Sequence, residues 1–360
     1  MQESVQELLK DITDLSHEFG GGEYVCGGGG NTSVKNSSTL WVKPSGTTLA
    51  GLKPESFVAM DRKKIARLYA IQPPQSVSER EALVKEKMNA ALLAGQSGRP
   101  SVEAALHDSL NARFVVHTHP AAVNGMTCAK DGRQVCLRLF PDALWMDYVD
   151  PGYTLCIAVR RQIEQFAGQK GHEPSVIFLQ NHGVFVAGDS PQEIRDLYAA
   201  IFDCLSAEYA KAKVSMTLKA DPLPEGFNLS AFLTEIRSAF EEEDLFAAAG
   251  GYFQPADGPL TPDHIVYAKS FPLVAEPTPA AVSEYKNRYG YAPLVLVCSN
   301  GVFGLGASEK KASLALELAR NGGQVVQLAA AFGGVNYMTE SARRFIEGWE
   351  VEFYRQKQLS

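Results

Sequence analysis

Three histidines stand at the ends of strand-like apolar runs. His117 and His119 lie in His117-Thr118-His119-Pro120, directly after Phe114-Val115-Val116, and His182 follows Val176-Ile177-Phe178-Leu179-Gln180-Asn181. Side chains alternate faces along a strand, so His117 and His119 project from one side about 7 Å apart, within reach of one metal ion. The pair alone is equally compatible with a polar pocket or an exposed sheet face. His182 shifts that balance, because Gly183 after it lets the backbone turn sharply and two strands that each end in histidine can converge on one point. Three neutral imidazoles with an open fourth position describe a catalytic zinc site better than a structural one, which four ligands, commonly cysteines, would close.

Glu103 precedes the first of these strands, in Ser101-Val102-Glu103-Ala104-Ala105-Leu106-His107. Ser101 can cap a helix here, and the helix dipole favours a carboxylate in the first turn whatever its function. Beside a metal-activated substrate the same carboxylate becomes a proton shuttle. His107, one turn further, reads as a helix-face residue behind the site rather than a fourth ligand. Upstream, seven glycines occupy the eleven positions from Gly20 to Gly30, ending in Gly30-Asn31-Thr32-Ser33. Bare amides with small hydroxyl and amide side chains suit a phosphate; a flexible connector is the plainer alternative. The loop lacks the Gly-Lys-Ser/Thr ending of a nucleotide P-loop. Pro44-Ser45-Gly46-Thr47-Thr48, one hairpin later, is a second candidate cradle.

The elements that position these residues follow from periodicity. Leu8, Leu9, Ile12, Leu15 and Phe19 predict an opening amphipathic helix, and Ser78 to Ala94 is rich in strong helix formers. With 360 residues, 45% hydrophobic and 21% charged, the chain can build one large or two ordinary domains. No apolar run approaches a spanning helix and no leader pattern opens the chain, so cytoplasmic residence without membrane association is expected. Six scattered cysteines read as reduced thiols, and a net charge of -7 gives no footprint for nucleic acid.

Together, Gly30-Asn31-Thr32-Ser33, Ser45-Gly46, Ser101-x-Glu103, His117-Thr118-His119-Pro120 and Asn181-His182-Gly183 resemble the class II aldolase/adducin family over about residues 5 to 215. Fuculose-phosphate and rhamnulose-phosphate aldolases and ribulose-phosphate 4-epimerase belong to that family. Residues after about 260 resemble the closing part of the aldolase region in long bifunctional rhamnulose-1-phosphate aldolase/dehydrogenases, whose dehydrogenase region is expected to be lacking here. The resemblance implies a three-layer α/β/α fold around a largely antiparallel sheet, in a catalytic domain of residues 1–217. A smaller α/β domain is expected over residues 226–360. It implies Zn²⁺, or another divalent ion, on His117, His119 and His182. Substrate phosphate would fall to Gly30, Asn31, Ser45, Gly46 and Ser101, proton transfer to Glu103, and a catalytic hydroxyl to Tyr148, with Tyr153 as the other candidate. Val102 departs from the second hydroxyl that aldolases of the family often carry before the glutamate. The resemblance further implies a homo-oligomer, a tetramer, acting on a small phosphorylated sugar.

Three readings follow. The first is an aldolase that releases dihydroxyacetone phosphate from a ketose 1-phosphate. The second is a 4-epimerase or dehydratase using the same parts, and the third a non-catalytic, adducin-like interaction module. Downstream, Asn181-His182-Gly183-Val184-Phe185-Val186-Ala187-Gly188 recurs as Ser299-Asn300-Gly301-Val302-Phe303-Gly304-Leu305-Gly306, which suggests a degenerate repeat whose metal histidine has become Asn300. Asp221 to Glu225 reads as a linker, and His264 as a surface or capping residue. A final helix from Ser341 to Gln358 carries Phe345, Trp349 and Phe353 in one stripe.

Overall fold

The computed structural model describes residues 4–349 other than 73, 75 and 97. In chain order its elements begin with α1 (Val5–Glu18), β1 (Asn31–Lys35), β2 (Thr39–Val42), β3 (Val58–Asp61), α2 (Arg62–Ala66), α3 (Val77–Ala90), α4 (Ala104–Ser109) and β4 (Phe114–Thr118). Then come α5 (Ala121–Thr127), α6 (Gly132–Leu139), β5 (Leu144–Met146), α7 (Tyr153–Lys170), β6 (Val176–Leu179), β7 (Gly183–Gly188) and α8 (Pro191–Lys211). The remainder is α9 (Leu229–Phe240), β8 (Phe246–Ala249), α10 (Pro262–Ala268), β9 (Leu273–Val274), α11 (Pro279–Tyr289), β10 (Val295–Cys298), β11 (Gly301–Gly306), α12 (Glu309–Ala329) and α13 (Glu340–Gly348). Contacts divide the chain into two compact units. One holds residues 1–120 and 136–204, the other residues 121–135 and 205–360.

The first unit is built on a seven-stranded sheet, β3-β2-β1-β4-β7-β6-β5, antiparallel throughout except for the β5–β6 pair. Its central strands are buried on both faces; β4, β6 and β7 are largely apolar, whereas β1 is buried despite its polar residues, so helices must cover both sides. On one face Phe185, Ile177 and Val115 pack with Leu106 of α4 and Val159 and Ile163 of α7. On the other, Thr32 shares a 2.7 Å hydrogen bond with Ser16 of α1, and Thr118 another of 2.7 Å with Tyr198 of α8. The expected three-layer arrangement is what the chain forms. Pairing of β4 with both β1 and β7 sets Asn31, His117 and Phe185 in one row across the sheet, on the α4 face.

The second unit holds a four-stranded sheet, β8-β11-β10-β9. Its plan repeats half of the first. β10 and β11 form an antiparallel hairpin as β6 and β7 do, and β9 lies parallel to β10 as β5 does to β6. α11 and α7 both end on a left-handed glycine, Gly290 and Gly171, and α12 and α8 are both 21 residues long. The octapeptide echo therefore marks a larger structural repeat.

Several local expectations are corrected. Asp221 is not a bare linker residue: it bridges Tyr252 in antiparallel fashion through two backbone hydrogen bonds. His264 is buried, with Nδ1 2.7 Å from Oγ1 of Thr261, the cap of α10, so it is no surface residue. Among the described residues the last helix closes at Gly348 with Trp349 as its cap; Phe345 and Trp349 pack with ring centroids 5.6 Å apart, and Phe353 lies outside the described residues.

Candidate metal centre

His117 leaves β4 on the α4 face, His119 follows just beyond the strand end, and His182 occupies the β6–β7 turn. That turn is made possible by Asn181, whose φ of 52° is one that Asn tolerates better than most side-chain-bearing residues. Gly183 is required for a different reason. A Cβ there would lie 2.6 Å from Cδ2 of His119. One ring nitrogen from each of the three histidines lies within 4.8 Å of the others, and all three residues are buried.

The tautomer of His117 is set by its neighbour. Nδ1 lies 2.9 Å from the carbonyl oxygen of Val184, which can only accept, so Nδ1 carries the proton and Nε2 turns its lone pair toward the cluster. His119 Nε2 is 2.9 Å from that atom. Burial holds His117 well below the usual imidazole range, against the opposing pull of Glu103, so it is neutral at pH 7. Zinc–nitrogen bonds of about 2.0–2.1 Å in a tetrahedron need donors about 3.4 Å apart, a spacing that three imidazoles so arranged reach with small rotations. The three histidines can hold a metal ion.

Glu103 adds a buried carboxylate, 4% exposed. Oε1 lies 3.7 Å from Nε2 of both His117 and His182, and Oε2 accepts a 2.6 Å hydrogen bond from Nδ2 of Asn31. The predicted helix starts later than the sequence suggests. Glu103 is the residue before α4 and makes no side-chain cap bond, so its carboxylate serves the histidine cluster and not the helix end. Ser101 Oγ, also buried, accepts from the Glu103 amide at 3.3 Å.

The candidate anion loops meet close by. The Ser45 amide donates to Arg99 O at 2.8 Å, and Pro44 bridges Pro100, which brings the Ser45-Gly46 turn to the Ser101 segment. Gly46 has φ 84° and Gly30 φ 68°, left-handed values that favour glycine. A Cβ on Gly30 would also lie 2.7 Å from His117 O, so the loop is a fitted piece of backbone and not a loose connector. Sequence reasoning missed Lys43. It is 3% exposed, with Nζ 3.5 Å from Gly28 O, between the two loops. Its position at a strand end flanked by both glycine loops was the available signal.

Tyr148 stands apart from these groups in one respect. Its amide donates to Gln180 Oε1 at 3.0 Å and its hydroxyl to Asp150 Oδ1 at 3.2 Å, while burial raises the phenol above its ordinary pKa. Among the described residues Tyr148 makes no hydrogen bond or ring contact with the three histidines. Tyr153 packs in the core, its hydroxyl donating to Leu68 O at 3.0 Å.

Behind the site, His107 Nδ1 lies 2.8 Å from Ser33 Oγ, and its ring meets Phe185 edge-on at 5.3 Å. Phe185 in turn stacks on His117 at 3.8 Å. Lys35 is buried on the same face of β1 and donates to His107 O at 2.7 Å.

The repeat makes a control within one chain. Phe303 of β11 faces Ala249 as Phe185 faces His117, so the positions of His117, His119 and His182 fall on Ala249, Gly251 and Asn300 in the second unit. The histidines are absent there while the fold persists.

Fold and site thus define an α/β protein with a three-histidine, one-carboxylate centre. The sequence profile described as Class II Aldolase and Adducin N-terminal domain matches residues 10–208, and the chain belongs to that family. A Bacillus subtilis (strain 168) protein described as "Uncharacterized oxidoreductase YuxG" is 25% identical over 422 aligned residues, covering 98% of this chain; the chain spans only 59% of that relative's length. Among solved structures, the N-terminal class II aldolase domain of a conserved Thermoplasma acidophilum protein is 24% identical with a TM-score of 0.47, over 55% of this chain and 92% of that one. L-fuculose-1-phosphate aldolase from Thermus thermophilus is 14% identical with a TM-score of 0.38, over 57% and 95% respectively. Among the described residues no helix is long and apolar enough to cross a membrane.

Proposed function

We propose that the chain is a metal-dependent aldolase that reversibly cleaves a ketose 1-phosphate to dihydroxyacetone phosphate and an aldehyde. The observation behind this reading is the placement of the Glu103 carboxylate 3.7 Å from two of three convergent imidazoles. His117, His119 and His182 hold the divalent ion, zinc in this proposal. When bound, that ion supplies Lewis acidity to the ketone and neighbouring hydroxyl oxygens of the substrate.

The chain's own residues supply the rest. Glu103 returns a proton to the carbon freed when the C3–C4 bond breaks, and removes it in the reverse direction. Asn31 holds one carboxylate oxygen through Nδ2. Its Oδ1 is buried and has no hydrogen-bond partner among the described residues, so it is left to accept from a substrate hydroxyl. Backbone amides of Gly30 and Gly46, the hydroxyls of Ser45 and Ser101, and the Lys43 ammonium receive the phosphate. Tyr148 remains the proposed hydroxyl for the departing aldehyde.

The test is a panel of ketose 1-phosphates and ketose 5-phosphates, with dihydroxyacetone phosphate and epimerised products followed separately. Release of dihydroxyacetone phosphate from at least one member supports the aldolase. Epimerisation or dehydration without cleavage would assign the same centre to the other reaction. No turnover by metal-loaded protein would leave the non-catalytic module.

A further inference from the structure

The second unit has kept its fold without the metal ligands, and it contains a cavity of about 300 Å³ between the end of α10, the hairpin β10–β11 and the first turns of α12. Leu294, Leu305 and Leu314 give it aliphatic walls, whereas Lys269, Lys310 and Lys311 are its charged lining residues, with no carboxylate among them. The first turn of α12 adds the positive end of a 21-residue helix, where Ser308 caps only the Lys311 amide.

Lys269 is the least expected of these residues. Its φ of 66° and ψ of 169° fall in a region that glycine occupies almost alone, yet the position holds a lysine. Its ammonium lies 5.1 Å over the Tyr291 ring. Burial lowers its pKa, an effect that the charge of Glu347 opposes without cancelling. Glu347 is itself engaged by Arg343 at 2.6 Å and by Ser270 at 2.9 Å. A partly desolvated cation is therefore held in a strained backbone in the lining of a largely apolar cavity, and an anion placed there would offset its charge.

We propose that this cavity binds a small amphipathic anion, a carboxylate or phosphate head on an unbranched chain of about six to eight carbons. The head is recognised by Lys269 with Lys310, Lys311 and the α12 amino end, and the chain lies against Leu294, Leu305 and Leu314. The proposal is independent of the aldolase reading. A cavity of this size suits a ligand of that length, and sugars or nucleotides would leave their hydroxyls facing leucine.

The test is calorimetric titration of the full chain at pH 7 with sodium octanoate, octyl phosphate, butyrate and octylamine, alongside melting temperatures. Octanoate or octyl phosphate should bind with a submillimolar constant, and whichever is tighter names the head. Butyrate, four methylenes shorter, should bind roughly a hundredfold more weakly, and octylamine should not bind. Lys269→Gly suits the local backbone, so it should melt no lower than the native chain while losing tenfold or more in octanoate affinity. Leu314→Glu, at a half-buried position, should abolish binding by charge. Equal binding of butyrate, binding of octylamine, or unchanged affinity in both variants would overturn the proposal, as would the absence of any binding by the native chain at millimolar octanoate.

Discussion

Asn31 Nδ2 donates to Glu103 Oε2 at 2.6 Å, and this bond joins the end of the first glycine loop to the carboxylate that faces the histidines. Asn31 is also the strand partner of His117, so one backbone register positions both the imidazole and, through Asn31, the carboxylate. Replacing Glu103 with Gln keeps the shape and the Asn31 contact but removes the proton acceptor. Turnover should fall about 10²–10⁴-fold with metal content unchanged. Asn31→Ala should cost less in kcat and more in KM, because it loosens the carboxylate and removes the proposed substrate contact together. Steady-state kinetics on the same protein preparations separates the two, and native turnover in Glu103→Gln would remove the proposed shuttle.

Gly183 is packed where only a hydrogen fits, since a Cβ at this position would stand 2.6 Å from His119 Cδ2. Gly183→Ala should therefore press on both the Thr118 carbonyl and the His119 ring, shifting the strand end and the ring out of register. Metal affinity is expected to drop about 10–100-fold, the range seen when a ligand's orientation is disturbed. Competitive chelator titration measures this directly. The matching change in the second unit, Gly301→Ala, should lower the melting temperature without altering metal affinity, since its Cβ meets Gly251 backbone at 3.0 Å where the first unit has a histidine.

Lys35 is 3% exposed, and burial lowers its pKa to about 7. The value in the unfolded chain is near 10.5. Between those two values the unfolded chain holds the proton that the folded chain has lost, so stability from this group rises with pH across that window. It is flat below pH 7, where both states are charged and the full cost of burial is felt. Lys35→Met should consequently be most favourable relative to the native protein at pH 6–7 and lose that advantage, on the order of a few kcal/mol, by about pH 10. Urea denaturation of both proteins at several pH values checks it. A difference that does not vary with pH would mean that Lys35 is not desolvated as the fold places it.

Ser33 Oγ and His107 Nδ1, 2.8 Å apart, anchor the ring that meets Phe185, and Phe185 stacks on His117. Burial lowers the pKa of His107 to about 3, so it is a neutral strut. Ser33→Ala leaves a buried ring nitrogen unsatisfied and should cost about 1–3 kcal/mol. A double-mutant cycle with His107→Phe should show coupling above about 0.5 kcal/mol. Additive effects would show that the two side chains act separately.

The three histidines were legible because strand alternation and a terminal glycine constrain where side chains point, and those rules are local. The row Asn31–His117–Phe185 was not legible, because it depends on β4 pairing with β1 and β7, strands far apart in the chain. Lys35 sits in a strand and Lys43 just past the end of one, places where a charged residue ordinarily signals solvent; only the tertiary fold shows both buried. Glu103 was found as a residue, but the cap role offered for it fails because α4 begins one residue later and the carboxylate turns to Asn31. The octapeptide echo pointed to the repeat, yet its extent required the topology of both sheets. Nothing in the local pattern of residues 121–135 indicated that they pack with the C-terminal unit.

In the proposed reaction His117, His119 and His182 hold a divalent ion without which no turnover occurs. The most direct measurement is metal content by elemental analysis, paired with dihydroxyacetone phosphate release, on the native chain and on His119→Ala, with circular dichroism to confirm the fold of both. About one zinc or other divalent ion per native chain is expected, with loss of that ion in the variant and loss of product release with it. A native chain that takes up no divalent ion on reconstitution, or a variant that keeps both ion and activity, would contradict it.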